Sequence, residues 1–304
     1  MSTLISSATA EHIHLPAAKP SFFGAVRGEL FKISHQWITW IMAVLLGGII
    51  TLPYLIMLTV PAAKDAIIQG PEHYISVRME SNLAVFRAFA GIYLLIITAY
   101  IIGQEYQLGT IRILLGRGIG RLQLLSAKVS AAVIIALILL VLGLLYNVLL
   151  MSGLLAILTG NLNAYNALSS TFWSSAWLYL LSVLISMGVT ILLAVGVSVL
   201  GRSLAIGLSV SVSWFAVDNM GVLIMLFANR LTHNDFWLNI TAYLLGPNLN
   251  AMPGALLNTK QSFSIGIPPQ VDVDATHTLL VTLVYALIFA ITAVVLTWKR
   301  DVKE

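Results

Sequence analysis

The longest stretch without Asp, Glu, Lys or Arg covers residues 129–201 and reads VSAAVIIALILLVLGLLYNVLLMSGLLAILTGNLNAYNALSSTFWSSAWLYLLSVLISMGVTILLAVGVSVLG. One transmembrane helix needs about 20 apolar residues, so this stretch is too long for a single span. Its middle, GNLNAYNALSST at 160–171, is polar and rich in turn-forming residues. The stretch therefore predicts two transmembrane helices, at 129–159 and 172–200, joined by a short turn.

The rest of the 304-residue chain has the same character. Apolar residues make up 59% of it and charged residues 9%, and the mean hydropathy is +0.94. Soluble domains carry about one quarter charged residues. Four further apolar runs reach the length of a span, at 38–60, 82–102, 203–228 and 278–298. We predict an all-α integral membrane protein with six transmembrane helices within residues 38–298.

The basic residues set the predicted orientation. Cytoplasmic segments of membrane proteins are enriched in Lys and Arg. With both termini inside, eleven cations are cytoplasmic: Lys19, Arg27, Lys32, Arg112, Arg117, Arg121, Lys128, Arg202, Lys299, Arg300 and Lys303. Four are outside: Lys64, Arg78, Arg230 and Lys260. The pattern predicts a multi-pass protein of the cell membrane, of the bacterial inner-membrane kind, with cytoplasmic tails at 1–20, expected to be disordered, and 299–304.

Several function classes are excluded by the residues themselves. The chain has no Cys, so it contains no disulfide, thiolate metal site or cysteine nucleophile. The six His residues are scattered at 12, 14, 35, 73, 233 and 277, which predicts no metal site. No GxxxxGK[ST] phosphate loop is present, nor a GxSxG or HExxH pattern. The net charge of +4 reflects cations at span ends, so we expect no nucleic-acid partner.

Residues 21–37, SFFGAVRGELFKISHQW, precede the first span and have an amphipathic pattern. Apolar residues recur at spacings of three and four, while three charged residues face elsewhere. This pattern predicts a helix lying in the headgroup plane with its cations near anionic lipid. The alternative is a cytoplasmic start to the first span. The residues concerned are Phe23, Val26, Leu30, Ile33 and Trp37 on the apolar face and Arg27, Glu29 and Lys32 on the other.

A charged segment lies between the second and third spans, at residues 103–128: GQEYQLGTIRILLGRGIGRLQLLSAK. Its glycines predict two short helices with a bend. Together with RGELFK in the preceding helix and WKRD after the last span, it resembles the permeases of type-2 ABC exporters. The matching residues are Glu105, Gly109, Thr110, Arg112, Leu115, Arg121 and Lys128. One departure is Gly118, where many relatives carry proline, and another is Gly120, which replaces a small polar residue.

The resemblance implies a transmembrane subunit that works as a dimer, with a second copy or a related permease. It is driven by separate ATP-binding subunits, which hold the ATP and Mg²⁺, so this chain is expected to be neither an enzyme nor cofactor-bound. In such permeases the segment after the second span is a coupling helix that docks on the ATPase. The missing phosphate loop agrees with that division of labour. The family carries diverse cargo, so the substrate cannot be read from the sequence.

Several residues of segment 103–128 have two interpretations. Glu105 pairs with Arg112 or Arg121, or it is a solvated helix cap. Arg117 and Arg121 share a face with Lys128 and contact either an acidic ATPase groove or lipid phosphates. Three leucines either insert into the partner or pack beneath the spans: Leu114, Leu115 and Leu122.

Two ionisable residues are predicted at membrane depth, Arg87 in the second span and Asp218 in the fifth. Such residues are costly in hydrocarbon unless they are paired or line a hydrated cavity. Their depths overlap, which favours a structural ion pair. In the alternative, Asp218 faces a hydrated substrate path with Asn219, and Arg87 reaches the outer headgroups.

Residues 229–277 form a large predicted outer loop that mixes apolar pieces with prolines. Short interfacial or re-entrant helices fit this composition. Two other function classes remain open at this point. One is a self-powered secondary transporter or channel, which the scarcity of membrane-depth charges disfavours. The other is a membrane assembly or sensor subunit that transports nothing.

Overall fold

The computed structural model describes residues 21–116, 118–258 and 263–299, and these residues form helices and turns without a β-strand. The tails predicted at 1–20 and beyond Lys299 lie outside them, as do residues 117 and 259–262. The helices are α1 Phe22–Ser34, α2 Trp37–Leu58, α3 Ala63–Gln69, α4 Pro71–Gln107, α5 Thr110–Gly116, α6 Arg121–Thr159, α7 Ser170–Gly201, α8 Leu204–Thr232, α9 Phe236–Thr241, α10 Leu245–Leu257 and α11 Ala275–Lys299.

Six of these helices are long and apolar enough to cross a membrane, namely α2, α4, α6, α7, α8 and α11. This confirms the predicted all-α architecture of six spans. In α4 and α7, 67% and 61% of the most apolar stretch is buried inside the protein, whereas the other four bury 11–18%. Helices α4 and α7 pack against each other and form the centre of the bundle. The exposed apolar faces of the others are available to lipid or to a partner.

The central helix α4 is longer than the apolar run that predicted it. It begins at Pro71, where proline suits the first turn because its missing N–H needs no partner there. It continues to Gln107, so Glu105 belongs to the last turns of a span helix. Helix α6 likewise begins at Arg121, ahead of the predicted start at 129.

Polar side chains join the spans to each other within the apolar bundle. The side-chain oxygen of Asn147 in α6 accepts hydrogen bonds from the hydroxyl of Tyr54 in α2 and, at 3.2 Å, from the amide of Asn82 in α4. All three residues are buried. Buried amides and hydroxyls satisfy each other across helices because neither lipid nor water is there to do so.

Helices α4 and α8 come into very close contact near the end of the bundle that carries α5. A Cβ atom added to Gly103 would lie 2.6 Å from Cα of Leu204, the first residue of α8. Real Cβ atoms do not approach backbone so closely, and backbone at a helix start cannot shift without moving the helix. Glycine at 103 therefore sets how near these two helices lie.

Helix α1 is separate from the first span. It ends at Ser34, and Gln36 is extended, with φ −83° and ψ 123°. The hydroxyl of Thr39 and the indole of Trp40 donate to the carbonyls of Ile33 and Ser34. These bonds satisfy carbonyls at the end of α1, so residues 21–37 are not a continuous start to the span. Trp37, predicted as part of this helix, is the first residue of α2.

The predicted outer loop is shorter than residues 229–277, because α8 extends to Thr232. It contains α9 and α10, and α10 packs against α7, α8 and α11. Five residues of α10 are buried: Leu245, Pro247, Asn248, Met252 and Pro253. Helix α10 of this loop therefore packs into the bundle at the end opposite α5.

Candidate functional site

Residues 103–128 form the end of α4, the seven-residue helix α5, and the start of α6. The expected pair of short helices is therefore one short helix between two long ones. Gly109 and Gly118 flank α5 with φ of +66° and +85°. Only glycine adopts this left-handed region without strain, and proline cannot adopt it at all. Gly118 thus makes a defined turn, with its N–H bonded to the carbonyl of Leu115 at 3.0 Å.

The predicted coupling residues separate into an outer and a buried group. Arg112 is exposed, whereas Thr110, Leu114, Leu115 and Arg121 are half-buried. Glu105 and Lys128 are buried, with 6% and 4% of their surface exposed. Arg117 lies outside the described residues.

Four charged side chains meet where α1, α4 and α6 come together, and we call them the four-charge cluster: Glu29, Lys32, Glu105 and Lys128. Lys32 Nζ lies 2.7 Å from Glu29 Oε1 and 2.6 Å from Glu105 Oε1. Lys128 Nζ lies 3.1 Å from Glu29 Oε1 and 3.0 Å from Glu105 Oε2. It also donates to the carbonyl of Ile101 at 2.7 Å. Each acid contacts both lysines, so the cluster is electrically balanced.

The four-charge cluster corrects three predictions. The ion pairs that the structure gives Glu105 are with Lys32 and Lys128, so its predicted pairing with Arg112 or Arg121 is wrong. Lys128 is buried between two carboxylates and does not belong to an outward face with Arg121. Glu29 is 5% exposed, so it does not face away from the bundle as the amphipathic pattern predicted.

At Lys32, whose side chain is 47% exposed, the neighbouring carboxylates favour the charged form. Burial lowers the pKa of Lys32, but its hydrogen bonds to Glu105 and Glu29 and the charges of both carboxylates outweigh that effect and raise the pKa above its ordinary value. Buried ions remain charged when opposite charges and hydrogen bonds replace water. The cluster therefore fastens α1 to the ends of α4 and α6.

The rest of α1 agrees with part of the predicted helical face. Val26 and Ile33 are buried, and Leu30 is half-buried. Phe23 is 80% exposed and Arg27 is exposed as well. Helix α1 packs against α6, so its buried side contacts protein.

Within residues 103–128, the most exposed apolar side chains of the described part were not among the predicted coupling residues. Leu108 and Ile113 are 64% and 57% exposed and lie beside Arg112. We call these three residues the α5 surface. A groove of about 610 Å³ separates α5 from α1 and is lined in part by Leu108, Ile113, Leu114 and Phe31. The exposure of Ile113 could have been predicted only if the first residue of α5 had been known. The position of the helix start determines which of its residues face outward.

The two membrane-depth charges, Arg87 and Asp218, line one cavity at the opposite half of the bundle. No ion pair within 4.0 Å joins them in the described part of the chain, so the predicted structural pair is wrong. Both bind α10 instead. Arg87 donates to the carbonyl of Leu249 and, at 2.8 Å, to the side chain of Asn250, and Asp218 accepts from the N–H of Gly246. Arg87 is also only 5% exposed, so it does not reach out to headgroups.

Comparison with known proteins adds the family. The sequence model of the ABC-2 family transporter protein matches residues 25–228, which include the first five spans and both charged segments described above. No curated protein matches the chain significantly. With two thirds of its length matched and six spans in its structure, the chain belongs to the ABC-2 transporter family of membrane proteins.

Proposed function

We propose that the chain is the permease subunit of an ABC exporter, driven by a separate ATPase that binds at the α5 surface. The observation that carries this is the position of that surface. Its exposed apolar and basic side chains lie on the short helix α5 and on Leu108 just before it. The neighbouring helices α1, α4 and α6 are held together by the four-charge cluster. Force passes between subunits through ordered, packed elements, and this arrangement supplies them.

In this proposal the chain binds no nucleotide. ATP and Mg²⁺ bind the partner, whose closure pushes α5 and moves the spans between inward-open and outward-open arrangements. Both termini lie in the cytoplasm, and the protein resides in the cell membrane. Lipid and a second permease copy surround the exposed faces of α2, α6, α8 and α11.

A matched pair of substitutions tests the docking surface. Ile113→Asp places a charge in the centre of the α5 surface, and we expect it to reduce co-purification of the ATPase at least tenfold, because interface cores exclude unpaired charge. Ile68→Asp is the control: Ile68 is 64% exposed in α3, at the other end of the bundle. It should leave ATPase binding intact.

Two outcomes would contradict the proposal. One is normal transport-linked ATP hydrolysis in Ile113→Asp. The other is equal loss in both variants, which would indicate general damage. A secondary transporter or channel would bring down no ATPase even as the native protein, which separates that class from an exporter. Native mass spectrometry of the complex tests the dimer, since two permeases with two ATPases are expected.

A further inference from the structure

A cavity of about 390 Å³ lies between α4, α7, α8 and α10, closed on one side by residues 265–267. Its volume is within the range of sites that hold a small organic molecule. Its walls come from three of the six spans and from α10, so a ligand here would contact four helices. The cavity has a polar end and an apolar end, and these indicate what it binds.

The polar end is built around Arg87. Arg87 is 95% buried, since 5% of the residue is exposed. Its acceptors are neutral, the carbonyl of Leu249 and the side-chain oxygen of Asn250. Its Nε has no hydrogen-bond partner among the described residues. Asp218 lines the same cavity, but its carboxylate is bonded to the start of α10.

Within the described part of the chain, this leaves a buried cation without an ion-pair partner. A charge at membrane depth is costly unless an opposite charge or several hydrogen bonds replace its hydration. A guanidinium is also well shaped for a carboxylate or phosphate oxygen. The part of the cavity at Arg87 is therefore complementary to an anion.

The apolar end extends from Arg87 toward the α5 end of the bundle. Leu95 lies eight residues further along α4, which corresponds to about 12 Å of helix. The side chains lining this part are Ile92 and Leu95 of α4, Leu193 of α7 and Trp214 of α8. A hydrocarbon or aromatic body fits such walls, because its transfer from water is favourable.

We propose that this cavity binds an amphipathic organic anion, with its acidic group on Arg87 and its apolar body along Ile92, Leu95 and Trp214. The inference deepens the proposed function, because it names the class of molecule that the permease would carry. It rests on that function only in treating the bound molecule as a transported substrate. Binding itself needs neither ATP nor the ATPase. A membrane lipid and a soluble amphiphile share this chemistry.

Photo-crosslinking to the full chain in phosphatidylcholine nanodiscs tests the site. The probe is dodecanoate with a diazirine on its last carbon, compared with the matched dodecyl trimethylammonium and dodecanol probes. We expect the carboxylate to label peptides covering 88–95 and 213–223 at a concentration about tenfold lower than the cation does, since one charge-assisted hydrogen bond differs. Unlabelled dodecanoate should compete. Equal labelling by anion and cation would overturn the proposal.

Two variants locate the ligand. Arg87→Gln should weaken carboxylate labelling about tenfold and leave dodecanol labelling unchanged. Gly91→Leu fills the cavity and keeps Arg87: a Cβ there meets only Thr190 Oγ1, at 3.9 Å. It should reduce labelling by every probe. Gly153→Leu in α6 is its control, because no atom lies within 4 Å of a Cβ at that position.

The outcomes separate this inference from the proposed function. If Arg87→Gln fails to fold, Gly91→Leu still tests whether the ligand occupies the cavity. Unchanged labelling in Gly91→Leu refutes the site. Competition by phosphatidylglycerol in the nanodisc identifies a lipid as the anion, and its absence identifies a soluble amphiphile; either supports the site. Carboxylate labelling without ATPase co-purification would leave the site standing and remove the exporter.

Discussion

Lys128→Met probes the four-charge cluster. The substitution keeps an apolar side chain of similar length and removes the ammonium that contacts Glu29 at 3.1 Å and Glu105 at 3.0 Å. Lys32 then remains as the single cation for two buried carboxylates. Breaking a buried ion pair by removing one partner costs about 3–5 kcal/mol, because it leaves a charge without compensation. We expect a loss of this size in the free energy of unfolding.

The double variant Lys128→Met/Glu29→Gln distinguishes pairing from simple packing. It leaves Lys32 with Glu105, which lie 2.6 Å apart, so charge balance is restored. We expect it to be more stable than Lys128→Met alone, although it carries two changes. Such non-additivity is the signature of residues that interact directly.

The assay is equilibrium unfolding in mixed detergent micelles, followed by helical circular dichroism. Lys64→Met is the control, since Lys64 is exposed on α3, and a surface change of this kind costs within about 0.5 kcal/mol. The reasoning is refuted if Lys128→Met costs less than about 1 kcal/mol, or if the losses from the two substitutions simply add.

Two other predictions address topology and packing. A cysteine at Asn163, in the turn between α6 and α7, should react with an impermeant reagent from outside the cell, and one at Gln123 should not; the native chain supplies no background because it has no cysteine. Outside labelling at 123 would invert the proposed orientation. Gly103→Ala should destabilise the protein by about 1–3 kcal/mol, because its methyl would lie 2.6 Å from Cα of Leu204. Gly48→Ala in α2 is the control and should not destabilise the protein, because no atom lies within 4 Å of a Cβ at that position. Equal thermal stability of the two variants would show that α4 and α8 can move apart without an energetic cost.

The sequence predicted the spans well because their signal is local. A run of about 20 apolar residues is a span whatever surrounds it, and the polar residues 160–171 mark a turn for the same reason. The extra length of α4 was missed because its first turns carry polar residues. Those turns lie beyond the apolar run, where hydropathy carries no information about helix length.

The charged sites depended on partners far along the chain. Lys32 and Glu105 are separated by 73 positions, and helical periodicity shows which side a residue is on without showing what covers that side. Glu29 was assigned to solvent for this reason. Arg87 and Asp218 were correctly placed in one region, but α10 binds both. A mixed loop sequence does not show that one of its helices will pack into the bundle at that depth.

The two glycines that flank α5 determine where this part of the molecule can move. The four-charge cluster holds the ends of α1, α4 and α6 together, since sliding any of them would separate opposite charges. Gly109 and Gly118 carry no side chain and lie outside the four-charge cluster, so the turns they form are the points at which α5 can change direction most easily. A force applied to α5 therefore has one of two effects. It rotates α5 about these two glycines and is not transmitted to the spans, or it tilts α1, α4 and α6 together.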